Sequence, residues 1–157
     1  MEARLDLFSS AVAGKAMKYV VAASAAVKDS TVPYATLELV KLRASQINGC
    51  GFCVDMHTKD ATAAGETAQR LHMVAAWRES TLFTEAERAA LELAEQGTRI
   101  ADAAGGVTDE AWADAAKHYD EEQLCALVAA IAIINTFNRF NVLVRQPAGG
   151  YQPGMFG

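Results

Sequence analysis

The sequence predicts an all-α, single-domain protein of about six to seven helices, and three observations carry that prediction. Proline occurs only at positions 33, 147 and 153, so none interrupts residues 34–146. Alanine, the strongest helix former, supplies 32 of the 157 residues. Apolar residues recur at helical spacing rather than in alternation, as at Leu37, Val40, Leu42, Ala44 and Ile47. A hydrophobic share of 52% against 21% charged residues suffices for a buried core and excludes a disordered or collagen-like chain.

Each element has its own punctuation. The first helix is expected from about Leu7 to Lys28, with Gly14 as a break, ending in the linker Asp29-Ser30-Thr31-Val32-Pro33. Pro33 opens a second helix, Tyr34 to about Asn48, because its missing N–H costs nothing in a first turn, and Gly49 ends it. A third starts near Cys50 and Cys53, passes His57 and stops at Gly65; a short fourth covers about Thr67 to Arg78. Thr84 and Glu87 have capping-box spacing for a fifth helix reaching about Ala103. Thr108 caps a sixth, with Val107 and Trp112 at the spacing of a hydrophobic staple. Asp120 and Gln123 box a seventh, about Glu121 to Val144, stapled by Tyr119 and Leu124. That last helix is apolar nearly all round (Leu124, Leu127, Val128, Ile131, Ile133, Ile134), which predicts a place in the core or against another subunit. Residues 146–157 form a turn-rich C-terminal tail, free or laid across a neighbour, and one domain spans residues 1–157.

Composition narrows the partners. The net charge of -5 argues against a nucleic-acid footprint, which needs clustered positive charge. The start Met1-Glu2-Ala3-Arg4-Leu5-Asp6 carries acids where a signal peptide has a basic region. The longest apolar stretch, Leu124 to Phe137, is short for a bilayer and contains Asn135. A cytoplasmic protein with no membrane partner is expected. There, an odd count of three cysteines with two of them in Cys50-Gly51-Phe52-Cys53 points to redox or metal chemistry rather than a structural staple.

Glu38, Cys50, Cys53 and His57 form the constellation that carries chemistry. Cys53 falls in the first turn of the third helix, where unpaired N–H groups and the helix dipole favour a thiolate. His57 stands four residues on, on the same face, able to exchange a proton with that sulfur directly or through water. Cys50 is one turn back, within disulfide range once Cys53 is oxidised. Glu38 could orient His57 or take the proton onward. At 1.5 Å per residue Glu38 lies about 16 Å back from Gly49 and His57 about 9 Å into the next helix. A simple antiparallel hairpin leaves the two out of level, so a crossed pair or a bridging water is required.

The segment Glu38-Leu39-Val40-Lys41-Leu42-Arg43-Ala44-Ser45-Gln46-Ile47-Asn48-Gly49-Cys50-Gly51-Phe52-Cys53-Val54-Asp55-Met56-His57 resembles the core motif of the alkylhydroperoxidase D-like proteins, in the carboxymuconolactone decarboxylase superfamily. The shared pattern is Glu, eleven residues, Cys-x-x-Cys, three residues, His. The resemblance implies a helical thiol peroxidase in which Cys53 attacks the peroxide, Cys50 resolves it, and Glu38 with His57 relays the proton. It further implies no cofactor beyond the redox-active disulfide, a thiol or dithiol reductant such as a lipoyl protein, and assembly as a homotrimer or a homohexamer built from trimers. One departure is Phe52, where hydroperoxidase-type members carry a histidine between the cysteines. The decarboxylase branch lacks the cysteine pair.

Other readings compete. Cys50, Cys53 and His57 could ligate zinc, but only one knuckle is present. Covalent haem needs His directly after the second cysteine, where Val54 stands, and a thioredoxin fold needs strands. The pair could also be inert buried thiols. Cys125 is expected in the core, His72 and His118 at the surface or in caps, and Trp77 and Trp112 in the core or an interface. Asn135, Asn138 and Arg139 are expected to bond between helices or subunits. Glu85, Glu87, Arg88, Glu92 and Glu95 look like a solvated face. The function classes are therefore a thiol peroxidase or disulfide reductase, a redox-responsive assembly protein without turnover, and a decarboxylase or lactone-processing enzyme.

Overall fold

A computed structural model describes residues 2–103 and 105–155; positions 1, 104, 156 and 157 lie outside the described residues. Among those described there are seven α-helices and no strand: α1 (Ala11–Lys28), α2 (Tyr34–Ile47), α3 (Gly51–Ala63), α4 (Ala68–Met73), α5 (Glu85–Thr98), α6 (Asp109–Ala115) and α7 (Glu121–Val144). A 3₁₀ segment, Val74–Glu79, follows α4 directly, so the expected single fourth helix changes its winding half-way. The side chains of Ser10, Thr67, Thr84, Thr108 and Asp120 each cap the helix they precede, and Thr84–Glu87 and Asp120–Gln123 form complete capping boxes.

Three boundaries differ from expectation. Ser10 rather than Leu7 starts α1, since the Ser10 hydroxyl accepts from Ala13 N–H, and Gly14 sits inside the helix without breaking it. Helix α5 ends at Thr98, not near Ala103, and residues 99–103 turn instead.

The central helix is α2. Thr36 through Val40 are buried without interruption, and Leu42, Ala44 and Ser45 continue the burial. Leu37 and Val40 join Leu93 of α5 and Leu127 and Ile131 of α7 in one core cluster. Leu39 and Leu42 face a second cluster with Ala61, Leu71, Trp77, Phe83 and Leu91. Truncating a leucine of this kind to alanine costs about 3–5 kcal/mol in transfer and cavity terms. Helix α7 is the long flank of the bundle: Leu127, Ile131 and Ile134 are buried, whereas Val128, Val142 and Leu143 are exposed. By length and composition alone α7 could cross a bilayer, as core helices of globular proteins often could; here it packs on α1, α2, α3 and α5. Tyr119 and Leu124 are both buried in the core beside its start, as the staple requires.

Two sequence expectations are corrected by this packing. Cys125 is exposed, because it lies next to Leu124 on the outward face of α7 rather than on the stripe that includes Leu127 and Ile131. The acidic row on α5 is not a solvated face. Glu95 is buried and accepts from Arg43 Nε (2.6 Å) and Trp77 Nε1 (2.9 Å), with Arg78 on its second oxygen. Glu87 pairs with Arg70, and Arg88 donates to the carbonyls of Trp77 and Ser80. Trp77 is in the core, whereas Trp112 is partly exposed beside a cavity of about 450 Å³ between α5, α6 and α7. His72 and His118 are at the surface.

Candidate functional site

The junction of α2 and α3 is built by backbone geometry. Gly49 has φ +66°, the left-handed conformation that a glycine adopts at no steric cost. With it, the Cys50 N–H donates to Ser45 O (3.0 Å) and the Gly49 N–H to Gln46 O (3.3 Å), the paired bonds of a Schellman ending. The chain reverses there, and Cys50 becomes the N-cap of α3, its sulfur accepting from the Cys53 N–H at 3.3 Å. Cys53 is thus the third residue of the helix, where the positive end of the dipole lies. The two cysteines are joined as a disulfide with Cα atoms 5.4 Å apart, an ordinary span. Both are fully enclosed, at 1% and 0% exposure, and together with Ala44 and Ile134 form a small core of their own.

Glu38 and His57 meet directly. His57 Nδ1 stands 2.7 Å from Glu38 Oε2, and Lys41 Nζ holds the other oxygen at 2.9 Å. No bridging water is needed, so the level mismatch of a simple hairpin is resolved by how α3 meets α2. Burial alone would raise the Glu38 carboxyl, but the hydrogen bonds and charges of His57 and Lys41 outweigh it and hold it at about 2. An ionised Glu38 can only accept, so Nδ1 carries the proton in this pair. In the neutral ring that leaves the lone pair on Nε2, which is buried and has no hydrogen-bond partner among the described residues. His57 is therefore an imidazole oriented by a carboxylate, one helical turn behind Cys53. Tyr34 lies beside Glu38, and burial together with the Glu38 and Asp60 carboxylates pushes its phenol up, so it remains protonated.

Two contributions to the site were not visible as such in the sequence. Asn141, near the end of α7, donates from Nδ2 to Cys53 Sγ at 3.3 Å. Its signal was available: Asn135, Asn138 and Asn141 recur at intervals of three on one face of α7. Asn48 Nδ2 bonds Asn135 (2.9 Å) and Asn138 (2.8 Å), and Asn138 donates to Ser45 Oγ (3.0 Å), so these asparagines bond between helices as expected. Among the described residues Arg139 bonds back along its own helix, to Asn135.

The second contribution is the tail. Its described part lies across α3 of its own chain. Gly149 N–H donates to Asp55 (3.0 Å), Lys59 Nζ donates to the carbonyls of Gly149 and Tyr151, and the Tyr151 hydroxyl reaches Asp60 at 2.8 Å. Tyr151 is buried and meets the Phe52 ring edge-on at 6.4 Å. Between tail and helix ends opens a cleft of about 590 Å³, lined by Cys50, Phe52, Asn141, Arg145 and Ala148 among others. Of the two cysteines, Cys50 belongs to its lining. Among the described residues no three His, Cys, Asp or Glu side chains are grouped to hold a metal.

Comparison with known proteins agrees with this geometry. The sequence profile of the carboxymuconolactone decarboxylase family matches residues 14–96. The uncharacterized protein YdfG of Bacillus subtilis (strain 168) is 43% identical over 131 residues, which cover 83% of this chain and 88% of that protein. A crystal structure of an Agrobacterium tumefaciens protein of unknown function, described as a candidate antioxidant defence protein AhpD, superposes with a TM-score of 0.88. It is 35% identical and covers 96% of this chain and 100% of its own. The debrominase Bmp8 shares the fold at a TM-score of 0.74 and 23% identity, over 87% of this chain and 74% of that one. With the matched profile taking in Glu38, both cysteines and His57, the chain belongs to the carboxymuconolactone decarboxylase family, on its AhpD-like, cysteine-bearing side.

Proposed function

We propose that the protein is a thiol peroxidase that cycles through a Cys50–Cys53 disulfide. The observation that carries this reading is the carboxylate-oriented His57, its Nε2 unpartnered, one turn behind two cysteines at disulfide separation. In the reduced protein His57 takes the Cys53 thiol proton. The thiolate attacks one oxygen of a hydroperoxide, the O–O bond breaks, and the leaving alkoxide takes a proton to depart as the alcohol. Cys53 is left as a sulfenic acid. The Cys50 thiolate attacks that sulfur, forming the disulfide and releasing water with the remaining proton. An external dithiol returns two electrons and two protons, entering at Cys50, the cysteine that lines the cleft.

The donor is read as a small or protein-bound dithiol, a lipoyl group included, and the setting as the thiol-rich cytoplasm. No metal or organic cofactor enters the cycle. The assembly is read as a homotrimer or a homohexamer built from trimers, supported by exposed Ile100, Trp112 and Val128 on one apolar face. Light scattering tests that point, with a monomer mass at micromolar concentration refuting it.

Peroxide consumption in the presence of a dithiol panel tests the main proposal. Turnover that disappears in Cys53→Ser supports it. No turnover with any peroxide and dithiol combination overturns it and leaves the redox-responsive assembly reading.

A further inference from the structure

We propose that Asn141 is a further catalytic residue, its side-chain amide donating a hydrogen bond that holds the Cys53 sulfur in its thiolate form. The proposal deepens the peroxidase reading, since it rests on Cys53 as the attacking sulfur. Asn141 Nδ2 is 3.3 Å from Cys53 Sγ, a contact between residues 88 apart in sequence. The sulfur is wholly enclosed and the Cys53 N–H is already given to Cys50 Sγ, so Asn141 is the side-chain donor that reaches Cys53 Sγ among the described residues. Phe52, between the cysteines, has no polar group to offer.

The bond changes strength with the redox state. A disulfide sulfur is a weak acceptor, whereas a thiolate carries a full charge and makes a charge-assisted bond. A donor fixed in place therefore favours the reduced, deprotonated state over both the thiol and the disulfide. It acts twice in the cycle: it makes Cys53 a better nucleophile at neutral pH and makes the disulfide easier to open.

The donor is fixed. One turn earlier Asn138 locks α7 onto α2 through Asn48 and Ser45. On the other side, Arg145 and Gln146 donate their N–H groups to the Asn141 carbonyl, Gln146 at 2.9 Å. That ending places Arg145 at φ 55°, a left-handed conformation that a non-glycine residue adopts only at a steric cost. Anchored on both sides, the amide need not reorganise when charge appears on the sulfur.

The test reads the sulfur, not turnover, so it remains decisive even if no peroxide substrate is found. Iodoacetamide labelling of Cys53 is followed against pH by peptide mass in reduced Cys50→Ser protein, with and without changes at Asn141. Asn141→Ala should raise the Cys53 pKa by about one unit, leaving roughly tenfold less thiolate at neutral pH. The isosteric Asn141→Asp should raise it further, because a carboxylate then faces the thiolate. In otherwise unaltered reduced protein, the Asn141 side-chain amide signals in NMR should shift with the same midpoint as Cys53 labelling. Amide signals indifferent to that titration, or a Cys53 pKa unmoved by both substitutions, would overturn the proposal.

Discussion

Glu38 and Glu95 are both buried carboxylates in the middle of helices, yet they belong to different kinds of site. Glu95 accepts from Arg43, Trp77 and Arg78, donors that keep their protons throughout the physiological range. Every partner is permanent, and the cluster ties α2, the 3₁₀ segment and α5 together. Burial would raise the Glu95 carboxyl, but these donors, Arg78 foremost, hold it lowered. Glu38 has instead an imidazole partner, His57, whose far nitrogen has no hydrogen-bond partner among the described residues. A saturated carboxylate fixes architecture, whereas a carboxylate that ends on a half-satisfied imidazole can pass a proton. The two regions are separated by what their partners can release, since both carboxylates are buried.

The largest expected effect lies on the structural side. Glu95→Ala leaves the Arg43 guanidinium and the Trp77 indole without their acceptor and should cost about 3–5 kcal/mol of stability, read from urea denaturation. Peroxide turnover per folded molecule should stay within about twofold of the parent. A large loss of turnover by folded Glu95→Ala would break the distinction.

Acid unfolding sharpens it next. Glu38 titrates at about 2 in the fold against an ordinary value of 4.5, so its contribution to stability is complete above about pH 4.5 and is lost as pH falls toward 2. The amount at stake is on the order of 3 kcal/mol. Glu38→Gln should flatten that part of the stability-against-pH curve relative to the parent. An unchanged acid limb would mean that Glu38 is not held ionised by His57 and Lys41. On the catalytic side, Glu38→Gln should lower turnover per folded molecule by on the order of 10²-fold, the usual scale for a lost acid–base relay. Parental turnover in that variant would remove the relay from the account.

The smallest effect belongs to the tail. Tyr151→Phe removes a hydroxyl bond to Asp60 and should cost about 1 kcal/mol, with faster amide exchange confined to the Gly149 region.

Much of this architecture was legible in the sequence because caps and breakers are local. The boxes at Thr84 and Asp120, the cap at Thr108, Pro33 and Gly49 all act within a few residues, and the helices they delimit appear where expected. Glu38, Cys50, Cys53 and His57 lie within one contiguous motif, and the structure pairs Glu38 with His57 and Cys50 with Cys53, although spacing alone would not have selected Glu38. What the sequence hid depends on which face of a helix turns inward. Cys125 and Leu124 are neighbours, yet one is exposed and the other buried. Glu95 and Glu85 have the same chemistry, and only the arrival of Trp77, Arg43 and Arg78 makes the first a core residue. Asn141 escaped notice for the same reason, its partner being 88 residues away. The tail's glycines and prolines announced turns but could not say that Lys59, Asp55 and Asp60 would hold them.

The central claim is that Cys53, served by the Glu38–His57 pair, is the sulfur that meets the peroxide. The most direct measurement is a single exposure of reduced Cys50→Ser protein to hydroperoxide, followed by trapping of sulfenic acid with a dimedone-type reagent and peptide mass mapping. A trapped adduct on Cys53 is expected in that variant, replaced by a Cys50–Cys53 disulfide when Cys50 is present. An adduct on exposed Cys125 with none on Cys53, or no adduct at all while Cys53 remains a free thiol, would contradict it.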